Sequence, residues 1–257
     1  MVMDFSGKCY LLKISKVCSC TEMFEEGYRM GKALFITGTG TDVGKTYVTG
    51  LIVRKLRQAG LNGGYYKAAL SGAIHDKDGM LQPGDALYVR HVAEMDESVK
   101  NLVTYVYPEA VSPHLAAKIN HRPIDFDKVK SDFERARGRY DYLTMEGSGG
   151  IICPLRWDNR QHMLLDDLIK KLNLGVVIVA DAGLGTINST VLTIEHLNAR
   201  NIPVAGVIFN QYLPGDYMQD DNAFMIEELT GVKVLAYVEK GDKELKIDIE
   251  VLKGLYS

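Results

Sequence analysis

Only four cysteines occur in the 257 residues, and three of them, Cys9, Cys18 and Cys20, fall in the first thirty. A C-x-C pair with one distant cysteine lacks the paired spacing of a zinc site, so reduced thiols in a reducing compartment are expected. The fourth, Cys153, stands beside Pro154 with nothing near it in sequence that marks a nucleophile. No apolar run approaches the ~20 residues of a membrane span. The formal net charge is −3 with the two signs interspersed, which gives neither a basic stripe for nucleic acid nor a polybasic arm for a membrane. Repeats and disorder signals are also missing: 46% hydrophobic and 25% charged residues are the composition of an ordinary globular chain long enough for one large core. A cytoplasmic protein acting on small molecules is expected.

Residues 1–29 include Asp4, Glu22, Glu25, Glu26 and several lysines, so they hold no uninterrupted apolar segment for secretion and too much acid for a transit peptide. The first strand pattern begins only near Ala33. Residues 1–30 are therefore read as an N-terminal extension, either a start placed upstream of a natural one at Met30 or a loosely packed appendage. Residues 31–257 are read as a single α/β domain.

The most informative segment is 36–46, Ile-Thr-Gly-Thr-Gly-Thr-Asp-Val-Gly-Lys-Thr, between an apolar run and an amphipathic one. A strand ending at Thr37 and a helix beginning near Lys45 leave a turn in which Gly38, Gly40 and Gly44 are free to take positive φ. Backbone N–H groups of Gly40, Thr41, Asp42, Val43 and Gly44 can then point at an anion, where the helix N-terminus adds its partial positive charge. Lys45 would reach β- and γ-phosphates and the Thr46 hydroxyl would take a Mg²⁺ position. The strict G-x-x-x-x-G-K-[ST] spacing is not met, because Thr39 stands where its first glycine belongs. The loop is a variant.

From Ala33 onward, short apolar runs alternate with helix-length amphipathic stretches, which predicts a doubly wound, mostly parallel sheet with helices on both faces. Strands are expected near 33–37, 63–67, 140–145, 175–180, 203–209 and 233–238. Helices are expected near 45–59, 84–94, 112–120, 125–137, 162–173, 186–199 and 219–230. The segment from Leu245 to Val251 alternates with period two and reads as extended. Ligands of such sheets gather beyond the carboxyl ends of the strands, and the residues there are Thr37 to Thr46, Lys67, Glu146 to Gly150, Asp181 to Gly185, and Asn210. Glu146, opening a Glu-Gly-Ser-Gly-Gly turn, would face the phosphate loop as a metal carboxylate. Asp85 would either cap the helix that follows or supply a second metal oxygen.

Gly38-Thr-Gly-Thr-Asp-Val-Gly-Lys-Thr46, Gly64-Tyr-Tyr-Lys67 with Ser71-Gly72, Gly84-Asp85-Ala86, Ser112-Pro113-His114, Glu146-Gly-Ser-Gly-Gly150, Leu184-Gly185-Thr-Ile-Asn188 and Asn210 resemble the dethiobiotin synthetase family, in order, from about Gly31 to Asn210. The resemblance implies a P-loop NTPase fold and ATP- and Mg²⁺-dependent closure of the ureido ring on 7,8-diaminononanoate with CO₂ or bicarbonate. Both nucleophiles are substrate amines, which fits the lack of any Ser/His/Asp or Cys/His set. The same resemblance implies catalytic roles for Lys45 and Lys67, and metal binding by Thr46, Asp85 and Glu146. It implies substrate contacts from Thr41, Ser71 and Gly149, and adenine recognition by Asn210. Gly185, Thr186, Ile187 and Asn188 would be offered by the second subunit of a homodimer to the substrate's acid tail. Gly40, Asp42 and Ala68 depart from the commoner residues of that family, and the expected Ile-Pro after Val234-Leu235-Ala236-Tyr237 is missing, so no adenine contacts are assigned there. Two other readings stay open from sequence: an ATP-dependent amidoligase, against which the twenty residues left after Tyr237 argue, and a partition- or division-type switch ATPase, whose signature lysine is replaced by Gly40.

Overall fold

The computed structural model describes residues 30–257, so all of the extension but Met30, its three cysteines included, lies outside the described residues. Eleven strands and eight α-helices alternate along these residues. The strands are β1 (Lys32–Gly38), β2 (Gly63–Leu70), β3 (Ile74–His75), β4 (Leu81–Gln82), β5 (Val103–Val106), β6 (Tyr142–Glu146), β7 (Pro154–Trp157), β8 (His162–Leu164), β9 (Val176–Asp181), β10 (Val204–Asn210) and β11 (Val234–Val238). The helices are α1 (Lys45–Gln58), α2 (Gly84–Val92), α3 (Pro113–Ile119), α4 (Phe126–Arg137), α5 (Leu165–Leu172), α6 (Thr186–Ala199), α7 (Tyr217–Thr230) and α8 (Ile249–Gly254). Seven strands form one sheet in the order β11-β10-β9-β1-β6-β2-β5, every neighbouring pair parallel.

Parallel strands covered on both faces need apolar residues at successive positions, and β1 shows the sorting. Ala33 and Phe35 enter a core shared with α3 to α7, while Leu34 and Ile36 enter the opposite core beneath α1 and α8. In β9, Val176, Ile178 and Ala180 join the first core and Val177 and Val179 the second. Each fully buried large side chain contributes about 1.5–3 kcal/mol. The doubly wound architecture is as expected from the pattern, and among the described residues no helix is long and apolar enough to cross a membrane.

Four local expectations change. Val103–Val106 forms an edge strand that was not foreseen, because four residues with alternating burial carry too little pattern to separate from a loop. The helix expected from 162 starts only at Leu165, since His162–Leu164 pairs antiparallel with β7. The period-two segment after Leu245 does bury Leu245 and Ile247 beneath α1, yet it joins no sheet. It gives way to α8, whose first turn is capped by the Asp248 carboxylate accepting from the Glu250 and Val251 amides. In the phosphate loop, positive φ belongs to Asp42 (62°) and Gly44 (90°), with Gly38 and Gly40 outside that region. Gly38 is needed for space: a Cβ there would lie 2.7 Å from a Val43 methyl and 3.0 Å from Lys45 Cγ.

Candidate active site at the carboxyl mouth of the sheet

The loop after β1, the ends of β2 and β6, and the start of α2 meet around a cavity of about 610 Å³. Its walls include Thr41, Lys45, Thr46, Lys67, Asp85 and Glu146. Register explains the meeting: Lys67 is paired with Glu146 across β2 and β6, and Ile36 of β1 with Glu146 on the other side. Thr46, in the first turn of α1, donates its hydroxyl to Glu146 Oε1 at 2.7 Å. Lys67 Nζ donates to the same Oε1 at 2.7 Å and to Asp85 Oδ2 at 2.5 Å. Asp85 does not cap α2: the N-cap position is Pro83, and the Asp85 carboxylate turns to the lysine instead. Lys45 Nζ bonds the Gly40 carbonyl at 2.7 Å, closing the loop upon its own lysine.

The charges of the two lysines are held in opposite ways. Burial works against the Lys67 ammonium, but Glu146 and Asp85 outweigh it and keep its pKa above the ordinary lysine value. For Lys45, burial lowers the pKa and the like charge of Lys67 adds to the effect, with Glu146, Asp85 and Asp42 opposing more weakly. A polyanion in the cavity would favour the charged form of Lys45. Among the described residues no group of three or more His, Cys, Asp or Glu side chains is arranged to hold a metal ion by itself. The hard-oxygen set of Thr46, Glu146 and Asp85 nevertheless fits a Mg²⁺ ion that shares its shell with phosphate oxygens and water.

A second cavity of about 710 Å³ shares Thr41, Asp42, Ser71, Ser148 and Gly149 with the first and runs on past Val111, Pro113 and Ile152. Thus Thr41, Ser71 and Gly149 stand at the junction of the two spaces. Cys153 also lines the second cavity, its thiol pushed up to about 11 by burial. Asn210, closing β10, lines neither cavity. Its amide donates to the Val43 carbonyl at 3.0 Å, fastening the phosphate loop to the sheet. Gly185 to Asn188 open α6 outside both cavities, after an almost fully exposed Leu184.

Tyr65 was missed by the motif reading. Wholly buried, it donates its hydroxyl to Glu146 Oε2 at 2.9 Å, and burial with the adjacent carboxylate keeps its pKa well above the ordinary tyrosine value. The available signal was its position two residues before Lys67 on the same face of a strand.

A family model described as an AAA domain matches residues 32–244. A protein of Brachyspira hyodysenteriae named ATP-dependent dethiobiotin synthetase BioD is 50% identical over 227 residues, covering 88% of this chain and 100% of that protein. Proteins of the same name from Clostridium botulinum and Clostridium perfringens are 44% and 42% identical, over 88% of this chain and 99% and 100% of theirs. The chain belongs to the dethiobiotin synthetase family. Solved structures that resemble this family member include the MinC:MinD cell division protein complex of Aquifex aeolicus, with TM-score 0.51, 16% identity and 83% of each chain covered. A ParA family ATPase of Chlorobium tepidum gives TM-score 0.50 and 13% identity, over 86% of this chain and 87% of that one. At such identities the likeness shows a shared P-loop NTPase fold alone, so the switch-ATPase alternative is a distant structural relation.

Proposed function

We propose that this chain is an ATP-dependent dethiobiotin synthetase, a cyclo-ligase that closes 7,8-diaminononanoate with CO₂ at the expense of ATP in biotin synthesis. The observation that carries the assignment of roles is the convergence of Lys45, Thr46, Lys67, Asp85 and Glu146 on one cavity. In this reading one substrate amine takes up CO₂ as a carbamate, the γ-phosphoryl group passes to a carbamate oxygen, and the second amine attacks the carbonyl carbon and expels phosphate.

The protein's part is positioning and charge. The loop amides from Gly40 to Gly44 and the start of α1 cradle the β- and γ-phosphates. Lys45 exchanges the Gly40 carbonyl for phosphate oxygens, and Lys67 moves its ammonium from the carboxylates toward the oxygens that gain charge in transfer. Thr46, Asp85 and Glu146 would hold Mg²⁺, which would supply charge neutralisation and orientation at the phosphates. Thr41, Ser71 and Gly149 orient the carbamate and amine, and the apolar stretch past Val111, Pro113 and Ile152 suits the aliphatic chain. Asn210 keeps Oδ1 without an internal donor among the described residues, so it can accept from the adenine amino group while its amide holds the loop. The uncapped N-terminus of α6, Gly185 to Asn188, suits a carboxylate. Its place outside the chain's own cavities supports a homodimer in which each copy completes the other's site. A cytoplasmic location goes with this reading.

The test is phosphate release from ATP by the purified protein. Turnover should require the diamine and bicarbonate together and yield dethiobiotin, whereas brisk hydrolysis without the diamine would reject the assignment.

A further inference from the structure

Three donors converge on the buried Glu146 carboxylate, and they divide between its oxygens. Oε1 receives Thr46 and Lys67, both of which border the cavity. Among the described residues Oε2 receives only the Tyr65 hydroxyl, at 2.9 Å and out of solvent, from a side chain that does not line the cavity. β2 alternation puts Tyr65 and Lys67 on one face, with Tyr66 turned to the other, where its ring packs edge-on against Phe133 of α4. The Tyr65 ring is held in a separate core with Val53, Ala86 and Val89, residues of α1 and α2. Those are the helices that carry Thr46 and Asp85, so one ring packs against both and its hydroxyl reaches the third proposed metal residue.

Resting on the metal roles proposed above, we infer that Tyr65 is a positioning residue that fixes the rotation of the Glu146 carboxylate and so sets the affinity of the site for a divalent cation. A carboxylate with one oxygen tied down can turn only by breaking that bond, which leaves Oε1 aimed at the Thr46 hydroxyl. The donor is neutral. It stabilises the anion without contributing a positive charge that would compete with a cation, as the Lys67 ammonium does. Lys67 and Thr46 must both loosen their hold on Oε1 when phosphate and metal enter, but the Tyr65 contact on Oε2 can persist throughout. Groups in this relation to a metal ligand commonly affect metal affinity by about 10–100-fold.

The experiment uses full-length protein with ADP and Mn²⁺, the free ion being counted by electron paramagnetic resonance, alongside the Mg²⁺ dependence of turnover. Tyr65→Phe keeps the ring and removes one oxygen. It should weaken Mn²⁺ binding by about 10-fold, raise the apparent KM for Mg²⁺ more than it lowers kcat, and leave metal-free ADP binding in place. In a Glu146→Gln background the same change should have no further effect on Mn²⁺ affinity. Mn²⁺ affinity within twofold of the parent in Tyr65→Phe overturns the inference, as does an equal loss in both backgrounds. A Tyr65→Phe protein that folds only when Glu146 is also neutralised also overturns it, because the hydroxyl would then serve to satisfy the buried anion during folding and not to aim it at a cation. Failure of the parent itself to bind Mn²⁺ with ADP would strike the proposed metal site, a result distinct from failure of the Tyr65 role.

Discussion

Lys67→Met tests the electrostatics of the site most directly, because it keeps the length of the side chain and deletes one charge. The Lys67 and Glu146 side chains are 5% and 0% exposed, whereas that of Asp85 is 37% exposed. Removing one member of a buried pair costs about 3–5 kcal/mol, since the other charge is left uncompensated. Asp85 can rehydrate and adds little. Glu146 keeps the Thr46 and Tyr65 hydroxyls and the field of Lys45, which places the expected loss near the lower limit, about 3 kcal/mol. Against a typical stability of about 5–15 kcal/mol the variant remains folded, with its melting temperature lowered by about 6–12 °C at roughly 2–4 °C per kcal/mol.

The pH dependence of that loss has a definite sign. The folded pKa of Lys67 lies above its unfolded value despite burial, owing to Glu146 and Asp85. Its stabilisation is therefore complete below about pH 10.4 and disappears as pH rises through the folded value. Thermal unfolding of metal-free protein should give the same difference between parent and variant from pH 7 to 9, with an alkaline decline in the parent that Lys67→Met lacks. Phosphate release should fall by about 10²–10³-fold or more, as when a preorganised donor to a developing oxyanion is removed. A melting temperature within 2 °C of the parent, on the roughly 2–4 °C per kcal/mol scale, would refute the coupled-charge reasoning. Turnover within about tenfold would refute the role of Lys67 in transfer.

Gly44→Ala puts a Cβ at φ 90°, 2.0 Å from Asn210 Nδ2. It should weaken ATP binding by about tenfold or more through a strain of about 1–2 kcal/mol and loss of the Asn210–Val43 tie, so unchanged ATP affinity by calorimetry would contradict that account of the loop. With its pKa at about 11, Cys153 should be alkylated by iodoacetamide at pH 7.5 about 300-fold more slowly in native protein than in urea, from the thiolate fractions alone. Mass mapping of the Cys153 peptide checks this, and comparable rates in the two states would show that the thiol is not held protonated by burial.

How much was legible can be judged residue by residue. The phosphate loop declared itself because Gly-Lys-Thr at a strand-to-helix junction is a local chemical pattern. The central strands did so because residues covered on both faces must be apolar at successive positions. Glu146 was legible by position, since residues at the carboxyl ends of parallel strands gather at one mouth, whereas Lys67 reaches that mouth from within β2, which runs on to Leu70, because it is paired with Glu146. Tyr65 was not legible, because a strand tyrosine has the same local signature whether its hydroxyl meets water or a buried carboxylate. Asp85 was open between a helix cap and a metal oxygen, and only the fold shows that it caps nothing and meets the Lys67 ammonium of β2.

Chain order and composition thus determined the element types, the two-faced sheet and the identity of the phosphate-binding turn, all of which depend on local sterics and on the periodicity of apolar side chains. Tertiary structure alone decided which charges neutralise one another, that the Asn210 amide fastens the loop, and that β5 closes one edge of the sheet. Those outcomes follow from strand register, which sets side chains from distant parts of the chain within hydrogen-bonding distance and has no counterpart in local sequence.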